Sequence, residues 1–332
     1  MFNKFTYKYG ITHGGATFHS DDVFATAFCK YFAMKENINF SFDRKFNVTD
    51  EEFFSKSIIV YDIGYDFLPE YGIFDHHQTD VPLRQDGQKF SACGLFLREF
   101  GPTYFSESEL IVLENNIVKF IDYHDNGSLL PGEVSSEEIY DLSVFSPIWD
   151  ENPLLQNRYF SEAVNLAINI ICYEISLANG IKNVGIKEEI LKKIENRKKC
   201  HELGEIRAKE IAVSSLDTLE NGIITLPKFV PVKNFFADKE FLSIHGNPDI
   251  YFIIHPGDRN PFNVHVIPKK PDVFQLKIPG GFTIILEKDS CGDFILPVGV
   301  EFVHVNGFLA ACNTYDAAKK LCINTLQKFL SI

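Results

Sequence analysis

Several things are scarce in this chain. It has a single Trp, Trp149, and seven scattered Cys, no two of them spaced as Cys-x-x-Cys. An odd set of isolated thiols argues against a disulfide framework and predicts a reducing compartment, the cytoplasm. No stretch reaches the roughly 18 consecutive apolar residues of a membrane span, so no membrane partner is expected. The opening Met1-Phe2-Asn3-Lys4-Phe5 turns polar too soon for a signal peptide, and none is expected. Internal repeats and low-complexity tracts are missing too. Positive charge is in deficit: 32 basic residues face 45 acidic ones, a net charge of -13. That sign disfavours non-specific binding of long duplex DNA, which relies on neutralising phosphates. It leaves room for a site where metal ions supply the positive charge.

What is present is ample for a folded core. The chain has 332 residues, 45% apolar and 23% charged, enough for two ordinary domains. Its 32 Phe predict Phe-rich packing and carry no functional signal of their own.

The most informative stretch is Tyr71-Gly-Ile-Phe-Asp75-His76-His77-Gln78, three metal-capable side chains directly after a short apolar run. Ser57-Ile-Ile-Val-Tyr-Asp62-Ile-Gly64 repeats the design. Such runs bounded by Gly read as buried strands. Ligands of open α/β sheets bind outside the carboxyl ends of strands, so Asp62 and Asp75-His76-His77 are expected to share one crevice. Carboxylates and imidazoles together suit Mn²⁺, Mg²⁺, Zn²⁺ or Fe²⁺.

Other segments add to this set. His13-Gly14-Gly15 and His19-Ser20-Asp21-Asp22 precede apolar residues at helical spacing, with Ser20 or Asp21 as the expected N-cap. Residues 38–46 alternate as a strand, and Asp50-Glu51-Glu52 opens a short helix. Ser91-Ala92-Cys93-Gly94 starts a helix with small residues that would let a phosphate approach the backbone, or simply pack tightly as a cap. Glu107 to Phe120 reads as an amphipathic helix ending in Asp122-Tyr-His-Asp125-Asn-Gly127, with Asp122 and Asp125 on one face. Helices are expected over 158–179 and 187–213. After Asn221 come short strands, namely Gly222–Leu226, Ile250–Ile254, Phe262–Ile267, Phe282–Leu286 and Glu301–Val305, and a final helix from Thr314 to Leu330. The expected architecture is α/β: a mostly parallel-sheet domain over 1–186, a helical connector over 187–220 and a smaller α+β domain over 221–332. The candidate ligands are His13, His19, Asp21, Asp62, Asp75, His76, His77 and Asp125.

These strings, with Phe302-Val-His304-Val-Asn306-Gly307-Phe308, resemble the DHH phosphoesterase superfamily, and within it the Myg-type exonucleases. They fall in that family's order and extend over nearly the whole chain. Asp-His-His alone is weakly specific; with Gln78, the N-terminal His…His-x-Asp and the Asp-Asn-Gly it is strong. The resemblance implies an active-site cleft between a catalytic DHH-type domain and a substrate-binding domain. It implies two divalent ions, Mn²⁺ first and Mg²⁺ as alternative, held by His13 or His19 with Asp21, by Asp62 as the bridge, and by His76 and Asp125. It implies that His77 faces the phosphate and Asp75 orients the histidines. Substrate contacts are expected at Ser91, Gly94, His304, Asn306 and Gly307. Two strings depart from the pattern: Leu309-Ala310-Ala311 stands where glycines are usual, and Leu276-Lys-Ile-Pro279 lacks an Arg.

The expected function is therefore a metal-dependent exonuclease hydrolysing phosphodiester bonds of short single-stranded RNA or DNA. The rivals are a small-molecule phosphatase or cyclic-dinucleotide phosphodiesterase, a silent metal-dependent binding protein, and a mononuclear amide hydrolase. The last fits a set this rich in Asp least.

Overall fold

A computed structural model describes residues 4–15, 18–78, 80–126, 141–150, 152, 154–257, 260–267, 283–288, 290, 294–304 and 307–330. The chain folds into two compact units, Met1–His201 and Glu202–Ile332. The division falls inside one long helix, Val184–Ser215, which covers most of the stretch read as a connector.

The first unit contains β1 (Tyr9–His13), α1 (Ser20–Lys35), β2 (Ser41–Lys45), α2 (Asp50–Phe53), β3 (Ile58–Tyr61), β4 (Phe67–Leu68) and β5 (Ile73–Phe74). Its sheet has the order β2-β1-β3-β5-β4. All neighbours pair in parallel except β4 with β5. This is the mostly parallel sheet that strands alternating with helices require. Next in the chain are α3 (Ala92–Tyr104), α4 (Glu107–Leu113), α5 (Lys119–Asp125), α6 (Leu155–Ala178) and α7 (Val184–Ser215).

Helix α1 is buried on nearly every face, as a helix between other layers must be. It starts one residue earlier than expected. His19 is the extended N-cap, because the Asp22 carboxylate reaches back to accept its N–H; Ser20 and Asp21 are already helical. The single helix expected over Glu107–Phe120 is interrupted by a π-helical turn at Glu114–Val118 and then runs on to Asp125. A π turn inserts residues without breaking the helix and re-aims the turns beyond it. The core around α1 is Phe-rich, with Phe24, Phe28, Phe32, Phe74, Phe96 and Phe100 all buried. Helix α6 has the length and apolarity of a membrane span, but Phe160, Val164, Ala167, Ile170 and Ile171 bury it in this core.

The second unit holds β6 (Ile223–Thr225), α8 (Lys233–Ala237), α9 (Lys239–Ile244), β7 (Phe252–Pro256), β8 (Phe262–Val266), β9 (Glu287–Lys288), β10 (Phe294–Ile295), β11 (Val300–Val303), β12 (Leu309–Cys312) and α10 (Tyr315–Leu330). Its larger sheet runs β11-β12-β8-β7-β6, antiparallel but for β6 with β7. Apolar side chains of α10 pack on Phe252, Ile254, Val264 and Ala310. One expected strand differs: residues 283–286 are irregular and the strand comes just after them, at β9. Leu309-Ala310-Ala311 is part of β12, which pairs with both β8 and β11. Leu276–Pro279 and Phe282 lie outside the described residues.

Candidate metal centre

Three parallel strands of the first sheet deliver their carboxyl ends together. β1 ends at His13, β3 ends just before Asp62, and β5 just before Asp75. The chain leaves β1 for β2 on one side and returns to β1's other side as β3. The strand order thus reverses between β1 and β3, the position where open α/β sheets bind ligands. His13 and Asp62 flank that reversal.

Asp62 is the hub. Its backbone leaves the strand at φ +57°, a left-handed conformation that Asp tolerates better than most residues. Its two carboxylate oxygens face different partners. Oδ2 lies 3.5 Å from His13 Nδ1, which is also 3.2 Å from Asp22 Oδ2. Oδ1 lies 3.3 Å from His76 Nε2, which is 3.1 Å from Asp125 Oδ2 and 3.8 Å from Asp21 Oδ2. Among the described residues, three groups of side chains could each hold a metal ion: His13, Asp22 and Asp62; Asp62, Asp75, His76 and His77; and His19, Asp21 and Asp125.

The charges are strongly perturbed. Burial would raise the Asp62 carboxyl, but the facing His13 and His76 hold it far below the usual carboxylate range. Burial would lower His13; its bonds to Asp22 and Asp62 win and raise it to about 10. Asp21 is pushed well up by burial and by repulsion from Asp125, Asp62 and Asp22. Asp22 and Asp125 are raised chiefly by burial as well.

The residues fit divalent cations. Neither Asp21 oxygen is hydrogen-bonded, nor is Asp22 Oδ1, nor either ring nitrogen of His76, and all are buried. His76 Nε2 therefore crowds two carboxylates without a hydrogen bond to either. Burying unpartnered charge costs several kcal/mol, and cations among these oxygens would offset it. Carboxylates mixed with imidazoles suit Mn²⁺ and its first-row neighbours; the carboxylates alone would suit Mg²⁺.

Asp75 differs from the other acids because its oxygens are already used. Oδ2 accepts the Tyr65 N–H at 2.6 Å, and Oδ1 accepts the His76 N–H at 2.7 Å. Oδ1 also lies 2.6 Å from His77 Nδ1. Burial would lower His77, but the Asp75 carboxylate overcomes it and raises the ring to about 9. The His77 side chain is 49% exposed, while that of His76 is 5% exposed; the two neighbours have opposite access to solvent.

The helix start at Ser91 is occupied from within. Ser91 caps α3 by accepting the Gly94 N–H, while its own N–H and hydroxyl donate to Asp122 Oδ1 at 2.9 and 2.7 Å. A Cβ on Gly94 would come within 2.3 Å of Asp122. The anion expected at Ser91 and Gly94 is thus the protein's own carboxylate, which Arg84 also binds; Arg84 pairs with Glu114 too. Burial raises the Asp122 carboxyl to about 7 despite these bonds. In the second unit, His304 and Gly307 lie between the antiparallel strands β11 and β12. The Gly307 N–H donates to the His304 carbonyl at 2.7 Å, and Gly307 has φ +68°. Asn306 lies outside the described residues.

Sequence reasoning missed Asp22 as a candidate ligand, treating it as a helix cap. Its Oδ2 accepts the His19 N–H, as the spacing of three allows, and also lies 3.2 Å from His13 Nδ1. It also missed Arg84, whose partners are 30 and 38 residues away.

The chain belongs to the MYG1 exonuclease family, carried as an uncharacterised protein family (UPF0160), whose model matches residues 10–326. It is 23% identical to the MYG1 exonuclease of Bos taurus over 351 residues, 96% of this chain and 84% of that protein. The MYG1 protein of Dictyostelium discoideum is also 23% identical, over 96% of both chains. The MYG1 exonuclease of Mus musculus matches at 23% over 96% of this chain and 84% of its own length.

Proposed function

We propose that this protein is a DHH-type, metal-dependent exonuclease that hydrolyses phosphodiester bonds of short single-stranded RNA or DNA. The observation that carries the reading is the Asp62 carboxylate, whose two oxygens face two separate sets of donors. The names of the relatives support the nuclease class. His13, Asp22 and Asp62 Oδ2 would hold one divalent ion, Mn²⁺ or else Mg²⁺. Asp62 Oδ1, His76, Asp21 and Asp125 would hold the second, with His19 beside Asp21 and Asp125. Bound together, two such ions would supply an activated water and neutralise charge on the phosphoryl group. The remaining work falls to the protein. Asp75 anchors His77 through Nδ1, so that Nε2 faces outward and, when the ring is protonated, donates its N–H to a non-bridging oxygen. The Tyr65 N–H and the Asp75 carboxylate fix that ring before substrate arrives. His304, Asn306 and Gly307 are the proposed contacts to a terminal phosphate.

A substrate panel in Mn²⁺ tests the reading. A dinucleotide and a short single strand should be cleaved faster than a long single strand, and a duplex hardly at all. Better turnover of phosphate monoesters or of a cyclic dinucleotide would replace this reading with a small-molecule one.

Removing each histidine of the pair should separate their roles. His76→Ala should lower bound metal, because a buried ring between two carboxylates is lost. His77→Ala should keep its metal and lose about 10²–10³-fold in kcat, the cost of one preorganised donor. Metal analysis beside steady-state kinetics checks this. Equal metal loss in both variants would dismiss the distinction.

A further inference from the structure

One exposed aromatic stands at the mouth of the metal centre in a conformation that packing does not explain. Tyr65 has φ +60°, in the left-handed region that a bulky aromatic rarely occupies. The strain is held from both sides. Gly64 precedes it at φ +117°, and the Tyr65 N–H donates to Asp75 Oδ2 at 2.6 Å. Gly64 itself is hemmed in, since a Cβ there would meet the Phe53 ring at 2.8 Å. Strained residues of this kind persist only when their surroundings over-determine them, and they concentrate at functional sites. Yet the Tyr65 side chain contributes little to the core, because the residue is 77% exposed. Its ring centroid lies 6.0 Å from that of His77, the half-exposed histidine of the centre.

The geometry points to Tyr65 as a stacking platform for a nucleobase, the one carried by the nucleotide whose phosphate meets His77. This deepens the proposed nuclease reading and rests on it. A Gly at position 65 would take the same backbone without strain and still donate its N–H to Asp75. The ring is therefore the only thing that Tyr adds there. An exposed aromatic face next to a phosphoryl site offers sequence-tolerant stacking, because every base has a π-face. The phenol hydroxyl plays no part in this.

The test uses the Mn²⁺-loaded protein with three probes. These are a dinucleotide, the same dinucleotide lacking the base nearest the cleaved bond, and a copy with 2-aminopurine at that base. Tyr65→Ala and Tyr65→Gly should raise KM for the intact dinucleotide about tenfold, with kcat nearly kept and KM for the abasic one unchanged. Tyr65→Phe should behave as wild type. Wild-type protein should quench 2-aminopurine fluorescence and Tyr65→Gly should not. Tyr65→Gly should also raise the melting temperature, which a structural role for the ring would lower. If wild-type protein cleaves the dinucleotide but Tyr65→Gly leaves both KM and quenching unchanged, stacking is overturned and the nuclease reading stands. Quenching that needs Tyr65, without any cleavage, upholds stacking and removes the hydrolytic reading. A wild-type protein that neither cleaves nor quenches overturns both.

Discussion

Replacing Asp62 by Asn should abolish metal-dependent hydrolysis, with a loss of about a thousandfold or more in kcat/KM. The substitution is close to isosteric, and Asn tolerates the left-handed backbone at φ +57° as well as Asp does. The fold should therefore survive, and the change is confined to charge and to one oxygen. A bridging carboxylate needs two anionic oxygens; Asn offers one neutral carbonyl and an amide that repels a cation. On the proposed two-ion reading both donor sets would lose a ligand at once, because Oδ2 faces His13 while Oδ1 faces His76. Asp62→Asn protein should therefore bind fewer than two metal ions while keeping wild-type circular dichroism. Wild-type turnover by the folded variant would end the two-ion assignment. Asp62→Ala is a poorer test, since it adds backbone strain to the loss of charge.

The second large effect is a reversal of stability order. Asp21 is fully buried, unbonded and crowded by three other carboxylates, so in protein stripped of metal it destabilises the fold. Asp21→Asn should stabilise the chelated protein by about 1–3 kcal/mol, the scale of a buried polar mismatch. At about 2–4 °C per kcal/mol for a unit of this size, melting should rise by several degrees. With Mn²⁺ at a hundred times its Kd, wild-type protein should gain about 2.7 kcal/mol per ion, and the variant much less. The order of melting temperatures should invert between EDTA and Mn²⁺. The pH dependence has a definite sign. The folded carboxyl titrates above its unfolded value, so the native state binds the extra proton. The contribution of Asp21 to the stability of the chelated wild type should fall as pH rises from about 4, so the Asn advantage should grow with pH and fade as pH drops back toward 4. Thermal melts in EDTA across that range check this. An Asp21→Asn protein less stable than wild type in EDTA at pH 7 would show that the carboxylate serves the fold, not a cation.

Both outcomes together would mark the centre as a site where stability is given up for function. Asp21, repelled by three other acids, has no hydrogen bond to either oxygen, while Asp75, fully bonded, sits below its usual range: burial would raise it, but His77 and the Tyr65 N–H lower it more. A cluster kept only for folding would have no reason to leave a fully buried carboxylate unpartnered.

The sequence alone determined which residues could take part and roughly where. His13, Asp62 and Asp75-His76-His77 each follow an apolar run, and a parallel sheet must bring the carboxyl ends of its strands to one edge. Local signals of that kind depend only on neighbours in the chain. The tertiary structure alone decided how the groups divide. Asp22 could be read as a cap until His13 was seen 3.2 Å away on another element. Ser91 and Gly94 could be read as a phosphate approach or as a tight cap until Asp122, 31 residues beyond Ser91, was seen to accept the Ser91 N–H. Which oxygen of Asp62 faces which histidine, and that Tyr65 leans toward His77 from a strained turn, depend on the relative placement of β1, β3, β5 and α5. Strand pairing and helix packing fix that placement to within an ångström, and the spacing of residues along the chain carries no record of it.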